Sequence, residues 1–228
     1  MKPILFNTEM ARALLAGRKQ VTRRVVKPRY RNGETGFRIV TNAHTGKYVR
    51  VEYFDEWENE TRWMAGPYHL GDILYVREAF FKDAGRYMYK ADYSDSEKFY
   101  RNGKEVSIKW CPSIHMPREA ARIFLWVADV RVERLQDSFC RHGRTILLLQ
   151  REGIDIGEQC RDCIKAYGSP CCSDDDSECG VLDEVRGEFS DLWDSTIKPA
   201  DRDLYGWAAN PWVWIITFER ISREEAGL

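Results

Sequence analysis

In the stretch Gly17-Arg18-Lys19-Gln20-Val21-Thr22-Arg23-Arg24, the pattern of the chain changes from that of a helix to that of a strand. Before this stretch, apolar residues recur at helical spacing, and Gly17 stands where a left-handed residue commonly ends a helix. From Val21 onward β-branched residues dominate, and the run stops at Pro28. Because side chains alternate along a strand, we expect Thr22 and Arg24 to share one face of it.

We expect the same stretch to bring the amine of a lysine near the hydroxyl of a threonine. Lys19 lies in the turn, and Thr22 follows it in the strand. A threonine hydroxyl is a poor nucleophile until a base takes its proton, and a lysine whose pKa is lowered by neighbouring cations is such a base. Arg18, Arg23 and Arg24 would supply those cations. The alternative is a solvated basic surface turn, which the spacing alone does not exclude.

The composition is that of an ordinary soluble protein. The chain has 228 residues, of which 43% are hydrophobic and 31% are charged, so disordered, collagen-like and membrane-spanning classes are excluded. The apolar runs are too short to cross a bilayer, and the first residues lack the apolar core of a secretion signal. We therefore expect a cytoplasmic protein with reduced cysteines and no membrane partner.

Charge is distributed unevenly along the chain, although the net charge is only −1. Residues 1–50 carry twelve lysines and arginines against two acidic residues, whereas residues 151–203 carry six against fifteen. A basic segment of this kind attracts phosphate, so a nucleic-acid partner is one interpretation. The other is that the two segments neutralise each other within the fold.

Later segments predict a mixed α+β protein built mainly from strands. Strand-like runs cover residues 71–78, 87–91, 123–135 and 212–218, and helical spacing recurs at 145–151 and 184–193. Residues from about 29–69 and about 155–205 lack clean periodicity and have the composition of insertions. We therefore predict one domain over residues 1–228, a small mixed barrel with flanking helices and these two insertions.

Through Gly17, Lys19, Thr22 and Arg24, the helix-to-strand stretch resembles the G-x-K-x-x-[ET]-x-R signature of the ASCH domain family. The resemblance continues through Gly71-Asp72-Ile73-Leu74, Glu152-Gly153 and Phe218-Glu219. Segments similar to a larger bacteriophage and prophage subgroup are Trp110 to Pro117, Leu192-Trp193 and Asn210-Pro211-Trp212. The resemblance implies a PUA-like fold, a small β-barrel with flanking helices.

The compact ASCH enzymes that the chain resembles hydrolyse the amide of N(4)-acetylcytidine, with a lysine, a threonine three residues later and a downstream glutamate. Carried to this sequence, these residues are Lys19, Thr22 and Glu152. Amide hydrolysis needs a nucleophile, a group that stabilises the oxyanion and a group that protonates the leaving amine. In this interpretation Thr22 attacks once Lys19 takes its proton, and Glu152 delivers or relays a proton. Lys19 or Arg24 holds the oxyanion, and no cofactor is required.

Two other functional classes stay open. PUA-like barrels commonly bind RNA, and some ASCH proteins are reported as ribonucleases. In that interpretation Arg23, Arg24 and Arg118 contact phosphates, while Trp110 and Trp212 stack on bases. The third class is a phage accessory or morphogenetic protein without catalytic activity. The expected partner is accordingly a modified nucleoside or RNA, and the sequence does not define an oligomeric state.

Five of the seven cysteines fall in one short segment, at Cys160, Cys163, Cys171, Cys172 and Cys179. The first two have the spacing with which paired thiolates grip a zinc ion. Cys179 and either Cys171 or Cys172 would complete a tetrahedral site. A structural zinc ion bound by Cys160, Cys163, Cys171 and Cys179 is therefore one interpretation, and a set of reduced thiols is the other.

Overall fold

The computed structural model describes residues 1–31, 33–41, 49–137, 144–157, 162, 165 and 180–228. Within these residues the chain divides into two compact units, each assembled from separate stretches of sequence. Unit 1 comprises Met1–Gln20, Gly71–Val127 and Phe218–Leu228, and unit 2 comprises Val21–Leu70 and Ala128–Thr217. The single domain that the sequence predicts stays a prediction.

Strands outnumber helices, and the predicted mixed α+β class is confirmed. The strands are β1 (Lys2–Leu5), β2 (Val21–Val25), β3 (Glu34–Thr41), β4 (Val49–Asp55), β5 (Glu60–Ala65), β6 (Ile73–Arg77), β7 (Phe80–Asp83), β8 (Arg86–Tyr89), β9 (Phe99–Arg101), β10 (Lys104–Val106), β11 (Phe124–Arg134) and β12 (Trp212–Ile221). The helices with described bounds are α1 (Thr8–Leu15), α2 (Arg144–Arg151), α3 (Gly180–Thr196) and α4 (Arg202–Tyr205). No helix in the described part of the chain is long and apolar enough to cross a membrane.

The described strands form four sheets, of five, three, two and two strands. The largest has the order β1-β6-β11-β12-β2. Among the described strands it does not close into the small barrel that the sequence predicts. β1 runs parallel to β6, β6 runs antiparallel to β11, and β12 runs antiparallel to β2. In the last pair Thr22 lies opposite Ile216 and Arg24 lies opposite Trp214. Thr22 and Arg24 therefore share one face of β2, as predicted.

The helix-to-strand change occurs where the sequence predicts it. Asn7 caps α1, because its side chain accepts a hydrogen bond of 2.8 Å from the backbone N–H of Met10. The buried residues of α1 are Ala11, Ala13 and Leu14. Gly17 has a φ of +72°, a conformation that residues with a Cβ rarely adopt, and the chain turns there into β2, which begins at Val21.

Each unit has its own apolar core. In unit 1 the buried cluster consists of Tyr75, Phe80, Met116, Ala120, Ala121, Phe124 and Ala226. In unit 2 it consists of Val21, Leu135, Leu149, Ile154, Ile156, Val185, Phe189, Trp193, Val213 and Ile215. Val185, Phe189 and Trp193 recur at helical spacing along α3, so one face of this helix is buried in the core of unit 2. Residues from about 155–205, which have the composition of an insertion, thus supply core residues of unit 2.

Residues from about 29–69, which also have the composition of an insertion, contain the antiparallel sheet β3-β4-β5. Glu52 on β4 is only 4% exposed and accepts hydrogen bonds from Arg38, at 2.9 Å, and from Arg50. Glu34 likewise pairs with Arg62 at 2.5 Å. The carboxylates of Glu34 and Glu52 occupy sheltered positions of the strands, so the apolar and polar alternation that marks a strand is weak in this stretch.

The core of unit 1 generates the first prediction. Leu74 lies on β6 with 0% of its surface exposed, between neighbouring strands on both sides. Leu74→Ala leaves a cavity, and we expect it to lower the free energy of unfolding by about 2–5 kcal/mol in urea titrations. Leu70→Ala is the matched control, because Leu70 is 62% exposed. An equal loss in both variants would contradict the placement of Leu74.

The ion pairs of β3-β4-β5 predict acid sensitivity. The hydrogen bond from Arg62 lowers the pKa of Glu34, and that from Arg38 lowers the pKa of Glu52. Groups with a lowered folded pKa stabilise the fold above the unfolded pKa of about 4.3, and this contribution is lost as the pH falls through the folded pKa. We expect unfolding free energy to drop between about pH 5 and pH 3.

A variant isolates the contribution of Glu52. Glu52→Gln removes one titrating group, so its drop in unfolding free energy over the same pH interval is smaller than that of the wild type. Glu56→Gln serves as the control, since Glu56 is exposed in the turn after β4. An undiminished drop in Glu52→Gln would show that Glu52 contributes nothing to the acid response.

Candidate functional site

Six polar or charged residues are buried in the part of the chain that the structure describes: Lys19, Thr22, Arg23, Glu52, Glu78 and Glu152. Burial of such groups costs free energy unless hydrogen bonds or ion pairs compensate. Glu52 is paired within its sheet, and Glu78 accepts hydrogen bonds of 2.9 and 3.1 Å from Arg122. The other four belong to the motif stretch or directly follow α2. They are the candidate functional residues.

Lys19 belongs to unit 1 and directly follows the turn after α1. Its backbone N–H donates to the carbonyl of Ala13 at 3.1 Å, so the end of the helix holds its position. The residue is 3% exposed, and the ammonium lies 5.7 Å from the ring centre of Phe6. A cation over an aromatic face, at this distance and with little water, gains electrostatic stabilisation. Lys19 therefore has a sheltered ammonium group and a backbone held at the end of α1.

Thr22 and Arg24 belong to unit 2 and project from the same face of β2. Thr22 is 3% exposed, whereas Arg24 is half-buried. Burial lowers the pKa of Arg24, an effect that Tyr68 and Glu152 oppose. The hydroxyl and the guanidinium thus occupy one sheltered face. The sequence analysis missed Tyr68, which follows β5 in a stretch without clean periodicity.

Glu152 follows the last residue of α2, within unit 2. Its backbone N–H bonds to the carbonyls of Leu148 and Leu149, and Gly153 ends the helix with a φ of +94°. The carboxylate forms an ion pair with the guanidinium of Arg23. The side chains of Arg23 and Glu152 are 1% and 5% exposed. The two candidate residues are therefore joined inside unit 2.

Arg23 lies on the opposite face of β2 from Thr22, because side chains alternate along the strand. Its neighbours on that face, Val21 and Ile215, belong to the core of unit 2, and its guanidinium lies 5.8 Å from the ring centre of Phe189. A guanidinium in this position is directed at Glu152 and away from solvent. The phosphate contact that the sequence suggested for Arg23 would require that buried pair to open.

The remaining predicted binding residues lie in different surroundings. Trp110 is half-buried in unit 1, and its ring centre lies 5.8 Å from that of Tyr93 and 6.0 Å from that of Phe99. Arg118 is exposed in a short 3-10 turn of the same unit. Trp212 begins β12 in unit 2, and the guanidinium of Arg134 lies 4.5 Å from its ring centre.

The predicted zinc ligands Cys160, Cys163, Cys171 and Cys179 lie outside the described residues, as does Cys172. Among the described residues no group of three or more His, Cys, Asp or Glu side chains is arranged to hold a metal ion. The structural zinc site therefore stays a prediction from the spacing of the cysteines.

Comparisons with family models, with curated proteins and with solved structures find no match to this chain. The ASCH resemblance therefore rests on the motif residues of the sequence itself. The candidate functional residues are the buried Lys19 in unit 1 and the buried Thr22 and Glu152 in unit 2, where Glu152 forms an ion pair with Arg23.

The Arg23–Glu152 pair yields a prediction about stability. Removing one partner leaves a buried charge without its counter-ion, so Arg23→Met and Glu152→Met each lower the unfolding free energy by about 3–5 kcal/mol. The double variant buries two apolar side chains instead, and we expect it to lose clearly less than the sum of the two single losses. Urea titrations of all four proteins measure this difference.

An exposed pair provides the control for this cycle. Lys98 and Glu105 lie 3.1 Å apart with side chains that are 62% and 55% exposed. Lys98→Met therefore changes the urea midpoint little, because exposed pairs contribute little to stability. Strict additivity of the Arg23 and Glu152 variants would mean that the two side chains do not interact in the folded protein.

Proposed function

We propose that this protein is an amidohydrolase that removes the acyl group from the exocyclic amine of a cytosine nucleoside or base, as in N(4)-acetylcytidine. One observation carries the proposal: Lys19, Thr22 and Glu152, which the ASCH resemblance names, are three of the six buried polar residues in the described chain. A buried amine, hydroxyl and carboxylate are the groups that acyl transfer requires. The PUA-like fold is part of the same proposal.

Thr22 is the nucleophile in this mechanism. Lys19, three residues earlier in the chain, takes the hydroxyl proton while its side chain is the neutral amine, and the threonine oxygen forms a bond to the acyl carbon. The carbonyl π bond opens, so negative charge collects on the former carbonyl oxygen. Arg24, a cation on the same face of β2 as Thr22, or the protonated Lys19 stabilises that charge.

Collapse of the tetrahedral intermediate breaks the bond between the acyl carbon and the cytosine nitrogen. The nitrogen takes up a proton, and the free amino group of cytosine leaves. Glu152 delivers or relays this proton once its carboxylate opens from the buried pair with Arg23, which lies on the opposite face of β2 from Thr22. Water then attacks the acyl–threonine ester, which restores the Thr22 hydroxyl and releases the carboxylic acid. Arg23 holds the Glu152 carboxylate through the buried ion pair, and no cofactor takes part in these steps.

The burial of Arg23 argues against its role in the alternative, in which this protein binds RNA. Its guanidinium is directed at Glu152 and is 1% exposed, so it is poorly placed for a phosphate. Hydrolysis of a neutral nucleoside is insensitive to salt, whereas RNA binding through several phosphate contacts weakens steeply as ionic strength rises. Salt dependence of binding therefore distinguishes the two functions.

Variants of Thr22 test the proposal most sharply. Thr22→Val keeps the branched shape that suits β2 but removes the hydroxyl, and Thr22→Ser keeps the hydroxyl. We expect Thr22→Val and Lys19→Ala to lower the rate of cytidine release from N(4)-acetylcytidine by at least ~10³-fold, while Thr22→Ser retains measurable turnover. Chromatography of the released cytidine is the measurement.

Lys82→Ala is the control, because Lys82 is an exposed lysine on β7. Its turnover should match that of the wild type, and urea titrations of each variant confirm that the fold is intact. Wild-type turnover in folded Thr22→Val would eliminate the nucleophile assigned here. Absence of cytidine from the wild type would overturn the proposed activity and favour the RNA-binding alternative.

A further inference from the structure

Unit 1 contains a pocket of about 740 Å³ that the proposed mechanism does not use. It lies between the segment after β8 and the β9-β10 hairpin, and its volume suits a small organic molecule. The lining consists of aromatic and aliphatic side chains together with two lysines, two serines and three acidic residues. Lys19, Thr22 and Glu152 are not among the lining residues.

Three aromatic rings line the pocket and pack on one another. The ring centres of Tyr93 and Phe99 lie 5.1 Å apart, and Trp110 lies 5.8 Å from Tyr93 and 6.0 Å from Phe99. All three side chains are half-buried. Rings this close leave no room for a ligand among them, so a ligand contacts their outer faces. The ring planes are tilted by 36° between Tyr93 and Trp110 and by 64° and 74° in the two pairs with Phe99, so a planar ligand stacks on the outer face of a single ring.

Hydrogen bonds attach the pocket walls to the body of unit 1. The guanidinium of Arg12 donates to the carbonyl of Tyr93, which fixes one wall to α1. Cys111, the residue after Trp110, exchanges two backbone hydrogen bonds of 2.7 and 3.1 Å with Phe80. These bonds hold Tyr93 and the backbone next to Trp110 in place before any ligand arrives, which lowers the entropic cost of binding.

The rim of the pocket carries both signs of charge. The Nζ atom of Lys90 lies 3.6 Å from Oδ1 of Asp95, and Nζ of Lys98 lies 3.1 Å from Oε2 of Glu105. Glu97 contributes a further carboxylate. With both lysines next to carboxylates and one more acid than base, the rim does not favour a phosphate. It offers carboxylate acceptors to a ligand that carries N–H donors.

We propose that this pocket binds a planar heteroaromatic ring that bears an amino group, the chemistry of adenine and cytosine in a nucleoside. The ring stacks on the outer face of one ring of the cluster of Tyr93, Phe99 and Trp110, and the amino group donates to the rim carboxylates. This inference is independent of the proposed deacetylation, because it concerns binding alone and shares no residue with the proposed catalytic group.

The test uses the full chain labelled with 5-fluorotryptophan and adenosine as the probe, observed by fluorine NMR. Adenosine contains neither cytosine nor an acyl amide, so the result does not depend on the proposed catalysis. Trp110→Phe assigns the Trp110 resonance. We expect adenosine to shift that resonance saturably, with little dependence on salt, and uridine, which lacks an amino group, to bind several-fold more weakly.

Two variants check the stacking surface and the rim separately. Trp110→Leu should weaken adenosine binding by about 5- to 150-fold by equilibrium dialysis, whereas Trp63→Leu, which alters an exposed tryptophan of β5, should leave it unchanged. If Trp110→Leu fails to fold, the double variant Asp95→Asn with Glu105→Gln replaces it, because these side chains are 72% and 55% exposed. The rim variant should bind adenosine more weakly and uridine equally well.

Three outcomes would overturn the proposal. One is that no nucleoside shifts the Trp110 resonance saturably. Another is that tetramethylammonium shifts it while adenosine does not, which would make the pocket a cation site. The third is that the rim variant binds adenosine as the wild type does, which would remove the carboxylates from recognition.

Discussion

The interaction on which unit 2 depends is the buried ion pair between Arg23 and Glu152. It joins β2 to the segment that ends α2, two elements separated by 129 positions in the sequence. Both side chains leave water almost completely, and their desolvation is offset only while the two charges face each other. Phe189 on α3 lies beside the guanidinium, so three elements must meet correctly for the pair to form. The ion pair is therefore a constraint on how this core assembles.

β2 separates two different environments. Val21 and Arg23 face the core of unit 2, where the arginine satisfies Glu152. Thr22 and Arg24 face the other way, next to Ile216 and Trp214 on β12. A strand with a polar group buried on each face is unusual, since polar burial is costly. On the face of Val21 and Arg23 the cost is offset by the Arg23–Glu152 ion pair.

The buried and the exposed polar residues of this protein differ in their access to water. Lys19, Thr22, Arg23 and Glu152 are almost fully buried, which strengthens every charge interaction they make. The rim of the unit 1 pocket carries exposed ion pairs, such as Lys98–Glu105, that cost little to rearrange.

The sequence by itself determined the elements that have strong local signals. Helical spacing and the capping glycine at Gly17 located α1 and the start of β2, and the repeat of apolar residues located α3. Lys19 and Thr22 were selected as site residues from their three-residue spacing together with the ASCH signature that the stretch resembles. Only the tertiary structure decided that Arg23 pairs with Glu152, because no local pattern encodes a contact between distant elements. The sheet β3-β4-β5 was missed for a related reason: its sheltered positions carry charges such as Glu52, whose burial becomes affordable only once the neighbouring strands bring arginines to them.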